Sequence, residues 1–306
     1  MENTSEFSKK LIKTEKPVLS NDEIWQVIEK GDTNVVLELL KNGLLDPNVF
    51  NKNGDTPLYR ACKNGHLLMV RILITNGANI NTPNNRGETP LFLACINGVE
   101  SIVKLLIEKG ANINTPDTSG ETPFFWACVR GFDSIVKRLI EKGADINTPD
   151  TSKKTPLFWV CAKGFDSIVK LLIENGANIN IPDINGTTPL YWTCIKGFES
   201  TAKLLIEKGA NINTPNNKGE TPLYWACSKK HKSIVKLLIK KNVWITKELE
   251  EKYPKMLNLD YYIQQTLVFL YWARKSNPNS VFGVDYLPRD MFKLIIRFYI
   301  TQERKN

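Results

Sequence analysis

Six cysteines and two histidines are the residues of this 306-residue chain best equipped for metal, redox or nucleophilic chemistry. Cys62, Cys95, Cys128, Cys161, Cys194 and Cys227 follow one another at intervals of 33. Such regularity puts each thiol at the same place in a recurring unit. Packed helices lie roughly 8–10 Å apart, whereas a disulfide needs Cα atoms about 4.4–6.8 Å apart. Neighbouring thiols are therefore expected neither to bridge nor to share a metal, and they read as small buried hydrophobes. His66 and His231 are 165 residues apart, five of the same intervals, so they too share one structural position. The chain contains no H-E-x-x-H, no G-x-x-x-x-G-K-[ST] and no G-x-S-x-G. Residues 243–306 hold neither His nor Cys, which leaves them little catalytic equipment. The chain is expected to be no enzyme, with no cofactor, no bound metal and no small-molecule substrate.

Composition agrees. Hydrophobic residues make up 42% and charged residues 24%, which excludes disorder throughout. The 41 Lys+Arg against 32 Asp+Glu give a formal net charge of +9, spread along the chain. A basic balance suits an acidic partner without naming one. No apolar run reaches the roughly 18 residues that span a bilayer. Met1–Ser20 carries lysines but no apolar core of a secretory signal. An intracellular, cytoplasmic, monomeric protein is expected.

The elements that must hold these residues follow from one dipeptide. Thr-Pro recurs at Thr56, Thr89, Thr122, Thr155, Thr188 and Thr221, always 33 apart. The segments read TPLYRACKNG, TPLFLACING, TPFFWACVRG, TPLFWVCAKG, TPLYWTCIKG and TPLYWACSKK, most of them followed by a run such as SIVKLLIEKGANINTPD. Thr89 suits an N-cap and Pro90 the first helical position. Gly98 stops this short helix, and a second begins near Ser101 with Ile102, Val103, Leu105 and Leu106 on an apolar face. Gly110 ends it, and the stretch from Ala111 to Gly120 reads as a turn. Helices this short are marginal alone and gain stability by stacking.

The period and the T-P-L signature resemble the ankyrin repeat family, over about Asp22 to Asn242. The resemblance implies an all-α ankyrin-repeat solenoid, a helix-turn-helix plus β-turn per repeat, with an α-helical C-terminal extension. The expected organisation is a flexible N-terminus at 1–20, a degenerate capping repeat at 21–50, repeats at 51–83, 84–116, 117–149, 150–182, 183–215 and 216–245, and a helical C-terminal cap at 246–306. It also implies a non-enzymatic scaffold that binds a partner protein on the concave face.

Two columns down the stack depart from the family pattern. Trp126, Trp159, Trp192 and Trp225 stand where the family has Leu, and Arg130, Lys163, Lys196 and Lys229 follow four residues later. An i, i+4 pair shares a helix face, so each Trp is expected beside its own cation, within cation–π reach. One reading makes this a binding strip over repeats three to six, with Trp and Arg as hot-spot types. The other makes the tryptophans core residues shielded by the cations. A flanking column, Tyr59, Phe92, Phe125, Phe158, Tyr191 and Tyr224, reads as packing. Among the varied turn tips, Lys153, followed by Lys154, stands where the others have Gly, either as drift or as a basic fingertip for an acidic segment. Glu88, Glu121 and Glu220 on the other tips make the surface mixed, which argues against a nucleic-acid backbone track. Lys229, Lys230, His231, Lys232, Lys236, Lys240 and Lys241 form the densest basic cluster, read either as a solvated end or as a dock for something acidic.

The period stops at Trp244. Thr246 to Lys255 reads as a short polar helix, with longer ones over Leu259 to Lys275 and Tyr286 to Ile300. The string from Leu287 to Ile296 is loosely similar to the opening of an F-box and to the F-box-like box of poxviral ankyrin proteins. That resemblance implies docking of a ubiquitin-ligase adaptor through Leu287, Pro288, Met291, Phe292 and Ile295, within 286–300. The alternative is that these helices only cap the last repeat.

Overall fold

The computed structural model describes residues 20–241 and 243–257. Among them are sixteen helices and no strand, and they fall into two compact units that divide between Ile184 and Asn185.

The first unit holds α1 (Asn21–Lys30), α2 (Thr33–Lys41), α3 (Pro57–Lys63), α4 (Leu67–Thr75), α5 (Pro90–Asn97), α6 (Glu100–Glu108), α7 (Pro123–Arg130), α8 (Asp133–Glu141), α9 (Pro156–Lys163) and α10 (Asp166–Glu174). The second holds α11 (Pro189–Lys196), α12 (Glu199–Glu207), α13 (Pro222–Ser228), α14 (Lys232–Lys240), α15 (Lys247–Lys252) and α16 (Pro254–Leu257). Within each unit, helix pairs stack in tandem.

The Thr-Pro signature works as its chemistry dictates. Each Thr sits in extended backbone as N-cap, and its hydroxyl accepts the N–H three residues on, as Thr89 does from Phe92 at 3.2 Å. Proline then occupies the first turn, where no N–H is needed. Asp32 caps α2 by accepting the Val35 N–H at 3.3 Å, but the second helices of the Thr-Pro repeats lack a side-chain cap; α8 and α10 open after Phe132 and Phe165, which pack instead. Gly98 stops α5 with φ +70, and a Cβ there would stand 2.5 Å from the Phe132 ring, so glycine is needed for both conformation and space. In the second unit the same geometry is closed by His231, whose ring lies against Gly197 and whose Nε2 is 3.1 Å from the Ile195 carbonyl. His66 likewise reaches the Glu29 carbonyl at 2.9 Å. Both histidines therefore serve as staples between repeats.

Stacked turns are tied by an asparagine ladder. Asn81 Oδ1 accepts the Asn112 N–H at 2.8 Å and Asn114 Oδ1 that of Asp145 at 3.0 Å; in the second unit Asn213 does the same for Trp244 at 2.8 Å. The tips are strung by backbone bonds such as Thr118 N–H to the Arg86 carbonyl, 3.0 Å.

Apolar faces meet between helices: Leu91, Phe92, Ala94 and Cys95 of α5 and Ile102, Val103 and Leu106 of α6 are buried. All six cysteines are buried and unpaired, as their spacing implied. Burial pushes their thiols well above the usual range, Cys227 to about 12. At the N-terminus, α1 carries a full capping box between Ser20 and Glu23. Thr246 caps α15, which is shorter than the helix expected from Thr246 to Lys255.

Candidate functional site

Trp126 and Trp159 belong to the first unit, Trp192 and Trp225 to the second; each is half-buried. On a first helix this position lies one turn before the exposed end. The ring covers its neighbours and leaves an edge in water.

In each case the chain itself satisfies the indole N–H. Trp126 Nε1 donates to Glu121 Oε2 at 3.0 Å, Trp192 to Thr187 Oγ1 at 3.0 Å and Trp225 to Glu220 Oε2 at 3.2 Å. These acceptors stand five residues upstream, just before the Thr-Pro pair. In the fourth repeat that place belongs to Lys154, which cannot accept. Trp159 Nε1 turns instead to Asp150 Oδ2, 3.3 Å away.

The cations follow suit. Arg130 lies over Trp126 and Lys229 over Trp225, each 5.5 Å from the ring centroid, as the i, i+4 spacing predicts. Trp159 breaks that expectation. Lys163 points to Phe165 at 6.0 Å, while Lys154 sits over Trp159 at 5.0 Å and Phe158 at 5.7 Å. With no acceptor duty to perform, the Lys154 ammonium folds onto the nearest ring faces. Lys163, Lys196, Arg130 and Lys229 are exposed.

Lys153 occupies a turn whose counterparts are glycines, and its φ is +61. The tip is thus left-handed with a side chain on it, at a steric cost of about 1–2 kcal/mol. Lys230 is the other left-handed non-glycine among the described residues, φ +62, at the helix-stopping glycine position.

The flanking aromatic column packs as expected at Tyr59, Phe92, Phe125, Phe158 and Tyr191, which are buried, while Tyr224 is half-buried with Lys252 over its ring at 4.9 Å. Its tyrosines add something the packing reading missed. Tyr59 donates to Glu88 and accepts from Asn84 Nδ2 at 3.0 Å; the same Nδ2 reaches Glu88 at 2.9 Å. In the second unit Tyr191 donates to Glu220 at 3.1 Å and accepts from Asn216 Nδ2 at 2.8 Å. Each is a latch from a first helix to the next turn tip. Burial, then the Glu220 bond, pushes the Tyr191 hydroxyl up to about 12. The signal was present in the sequence: Tyr59 and Tyr191 are each followed by Asn after 25 residues and Glu after 29, whereas Phe92 and Phe125 are followed by Asp117 and Asp150.

Among the described residues no cluster of three or more His, Cys, Asp or Glu is placed to hold a metal. Nor is any described helix long and apolar enough to cross a membrane. Leu287, Pro288, Met291, Phe292 and Ile295 lie outside the described residues.

The family model described as "Ankyrin repeats (3 copies)" matches residues 24–117, 115–183 and 178–248. A Schizosaccharomyces pombe protein named as ankyrin repeat-containing is 41% identical over 58 residues, 19% of this chain and 28% of that protein. A Fowlpox virus protein named for ankyrin repeats is 39% identical over 61 residues, 20% of this chain and 15% of that protein. The chain thus spans less than a third of either relative. Helix pairs capped by Thr-Pro, tied by asparagines and matched over most of the described length leave one conclusion: the chain belongs to the ankyrin-repeat family.

Proposed function

We propose that this chain is a non-enzymatic protein-binding scaffold, and that its tryptophans are the anchors. Ankyrin repeats are generally protein–protein interaction modules. In the first unit the surface is built on Trp126 and Trp159 with Arg130, Lys153, Lys154 and Lys163 around them; in the second, on Trp192 and Trp225 with Lys196 and Lys229. One observation carries the reading. The indole N–H groups of Trp126, Trp159, Trp192 and Trp225 each have an acceptor within their own repeat, so the ring is held in place and a partner that covers it strands no polar group. A pre-oriented, half-exposed Trp flanked by cations has the make-up of a hot spot. The cations favour a partner segment with carboxylates beside an apolar anchor.

The test starts from a partner recovered by affinity capture and measures its affinity by calorimetry. Trp126→Ala with Trp159→Ala should cost about 2 kcal/mol or more in sum, with most of the folding stability retained. Lys163→Glu should slow association and flatten its salt dependence. Intact binding with a collapsed melting temperature would return the tryptophans to the core. Capture with residues 1–242 beside the intact chain addresses the ligase reading: adaptor subunits lost only on truncation would favour docking through 286–300.

A further inference from the structure

Five second helices of this chain are near copies of one another. They read ESIVKLLIE in α6, DSIVKRLIE in α8, DSIVKLLIE in α10, ESTAKLLIE in α12 and KSIVKLLIK in α14. The first four begin and end on an acid. In α14 both acids are lysines, Lys232 and Lys240, and the rest of the helix is unchanged from the α6 and α10 pattern.

At its N-terminal end the exchange works against the helix, although Lys240 in the last turn complements the dipole. An acid in the first turn complements the helix dipole, and Lys232 opposes it. In α6 and α10 the central lysine pairs with the last acid, Lys104 to Glu108 at 4.0 Å and Lys170 to Glu174 at 3.9 Å. Lys236 meets Lys240 instead, and like charges at i, i+4 destabilise. Lys230 adds a left-handed lysine at the preceding glycine position. Lys230, Lys232, Lys236, Lys240 and Lys241 are all exposed, and among the described residues none of them has an ion pair. Lys232 at the N-terminal end and the Lys236–Lys240 pair thus set unfavourable charge contacts where the four siblings have an acid.

We infer that the exposed face of α14 is a second docking surface, separate from the tryptophans, that takes an extended acidic peptide segment. Lys232, Lys236 and Lys240 follow one another along the axis at about 6 Å. Alternate residues of an extended peptide lie about 6.6–6.8 Å apart, so acids at every second position meet successive lysines. A bilayer would need something to insert, and the apolar face of α14, Ile234, Val235 and Leu238, is buried in the fold. Single-stranded nucleic acid would need aromatic platforms, and the helix has none: its exposed residues are lysines and one serine, with Leu237 and Ile239 half-buried.

The experiment uses the full chain and a fluorescent peptide of alternating Glu and Ser, read by anisotropy at low salt. Phosphatidylserine vesicles and an oligothymidylate of matched charge are the parallel probes. The wild type should bind the peptide more tightly than either. Lys232→Glu with Lys240→Glu restores the sibling pattern, so it should weaken peptide binding at least tenfold while the melting temperature holds or rises. Lys232→Gln with Lys240→Gln should fall between. A lysine pattern kept only for folding would instead lower the melting temperature in both variants. That result, unchanged peptide binding in the Glu variant, tighter binding of vesicles or oligonucleotide, or no peptide binding by the wild type would each overturn the inference.

Discussion

Glu121 in the first unit and Glu220 in the second hold the same place in their repeats, one residue before Thr-Pro. Each accepts an indole N–H from the Trp five residues on. Their carboxyls are nonetheless driven in opposite directions. Burial, and then the like charge of Asp117, raises Glu121. The Asn216 hydrogen bond, helped by Trp225 and Tyr191, lowers Glu220. Three donors converge on Glu220 Oε2, from Asn216 at 2.9 Å, Tyr191 at 3.1 Å and Trp225 at 3.2 Å. The difference lies in two matched positions. Asn216 spends its Oδ1 on the N–H groups of Lys218 and Glu220, which leaves Nδ2 as a donor for the carboxylate and the Tyr hydroxyl. Asp117 spends one oxygen in the same way on Ser119 and Glu121, but its other oxygen can only accept. Phe92, in the place of Tyr191, has no hydroxyl to donate. The aromatic residue of a first helix and the first residue of the following tip thus work as a pair, Tyr with Asn and Phe with Asp.

The largest expected effect breaks the second unit's latch. Asn216→Asp sets a carboxylate against Glu220 and removes the donor that joins it to Tyr191. It should cost about 2 kcal/mol at neutral pH in urea unfolding, and the loss should shrink as both acids protonate. A change too small to measure would mean that the latch contributes nothing net.

The converse builds the latch where it is missing. Phe92→Tyr with Asp117→Asn gives Glu121 the two donors that Glu220 enjoys. It should stabilise by about 1 kcal/mol, and the Glu121 titration followed by NMR should move down. A double variant less stable than either single one would show that the buried Phe92 site has no room for a hydroxyl.

Much of this was legible before any coordinates. The 33-residue Thr-Pro period specifies cap, proline and stop for every first helix, because those residues act through local backbone chemistry. The left-handed Lys153 also follows from its place among glycines, whereas position alone leaves the tryptophans between core and surface. The partner of Trp159 was not legible. An i, i+4 rule knows only helix geometry, and here an acceptor upstream is missing: Lys154 replaces the residue that would fix the indole, and its ammonium takes the ring that Lys163 was expected to share. The latches span 25 and 29 residues, so reading them requires knowing that adjacent repeats stack in register. The same holds for the reversed charges of α14, which stand out only against its four siblings.

A smaller effect separates charge from geometry. In Glu121→Gln the amide oxygen still accepts the Trp126 N–H, while the repulsion from Asp117 disappears. Stability at neutral pH should rise by about 0.5 kcal/mol, since the group is largely solvent-screened. Because Glu121 is raised, the folded state binds its proton more readily than the unfolded chain, and wild-type stability gains as pH falls through the folded-state value. The advantage of the variant should therefore fade on acidification. Glu220→Gln should behave in reverse. The lowered Glu220 stabilises above its unfolded-state pKa, and that contribution is lost as pH falls through its folded-state value, so the cost of the substitution should vanish in acid.

The smallest effect sets a baseline for the tips without touching any carboxylate. Lys153 holds φ +61 where Gly87, Gly120, Gly186 and Gly219 hold φ between +75 and +81. Lys153→Gly removes the left-handed strain of about 1–2 kcal/mol, but the glycine adds about 0.5–1 kcal/mol of freedom to the unfolded chain. The net gain should be about 0.5 kcal/mol, similar in size to that of Glu121→Gln but with one distinguishing property. No carboxylate is removed, so the gain should be the same at neutral and acidic pH. Thermal unfolding of both variants at the two pH values separates backbone strain from charge repulsion. A Lys153→Gly gain that faded in acid alongside that of Glu121→Gln would tie the Lys153 ammonium to the tip carboxylates. A net loss would show that its side chain supports the folded tip.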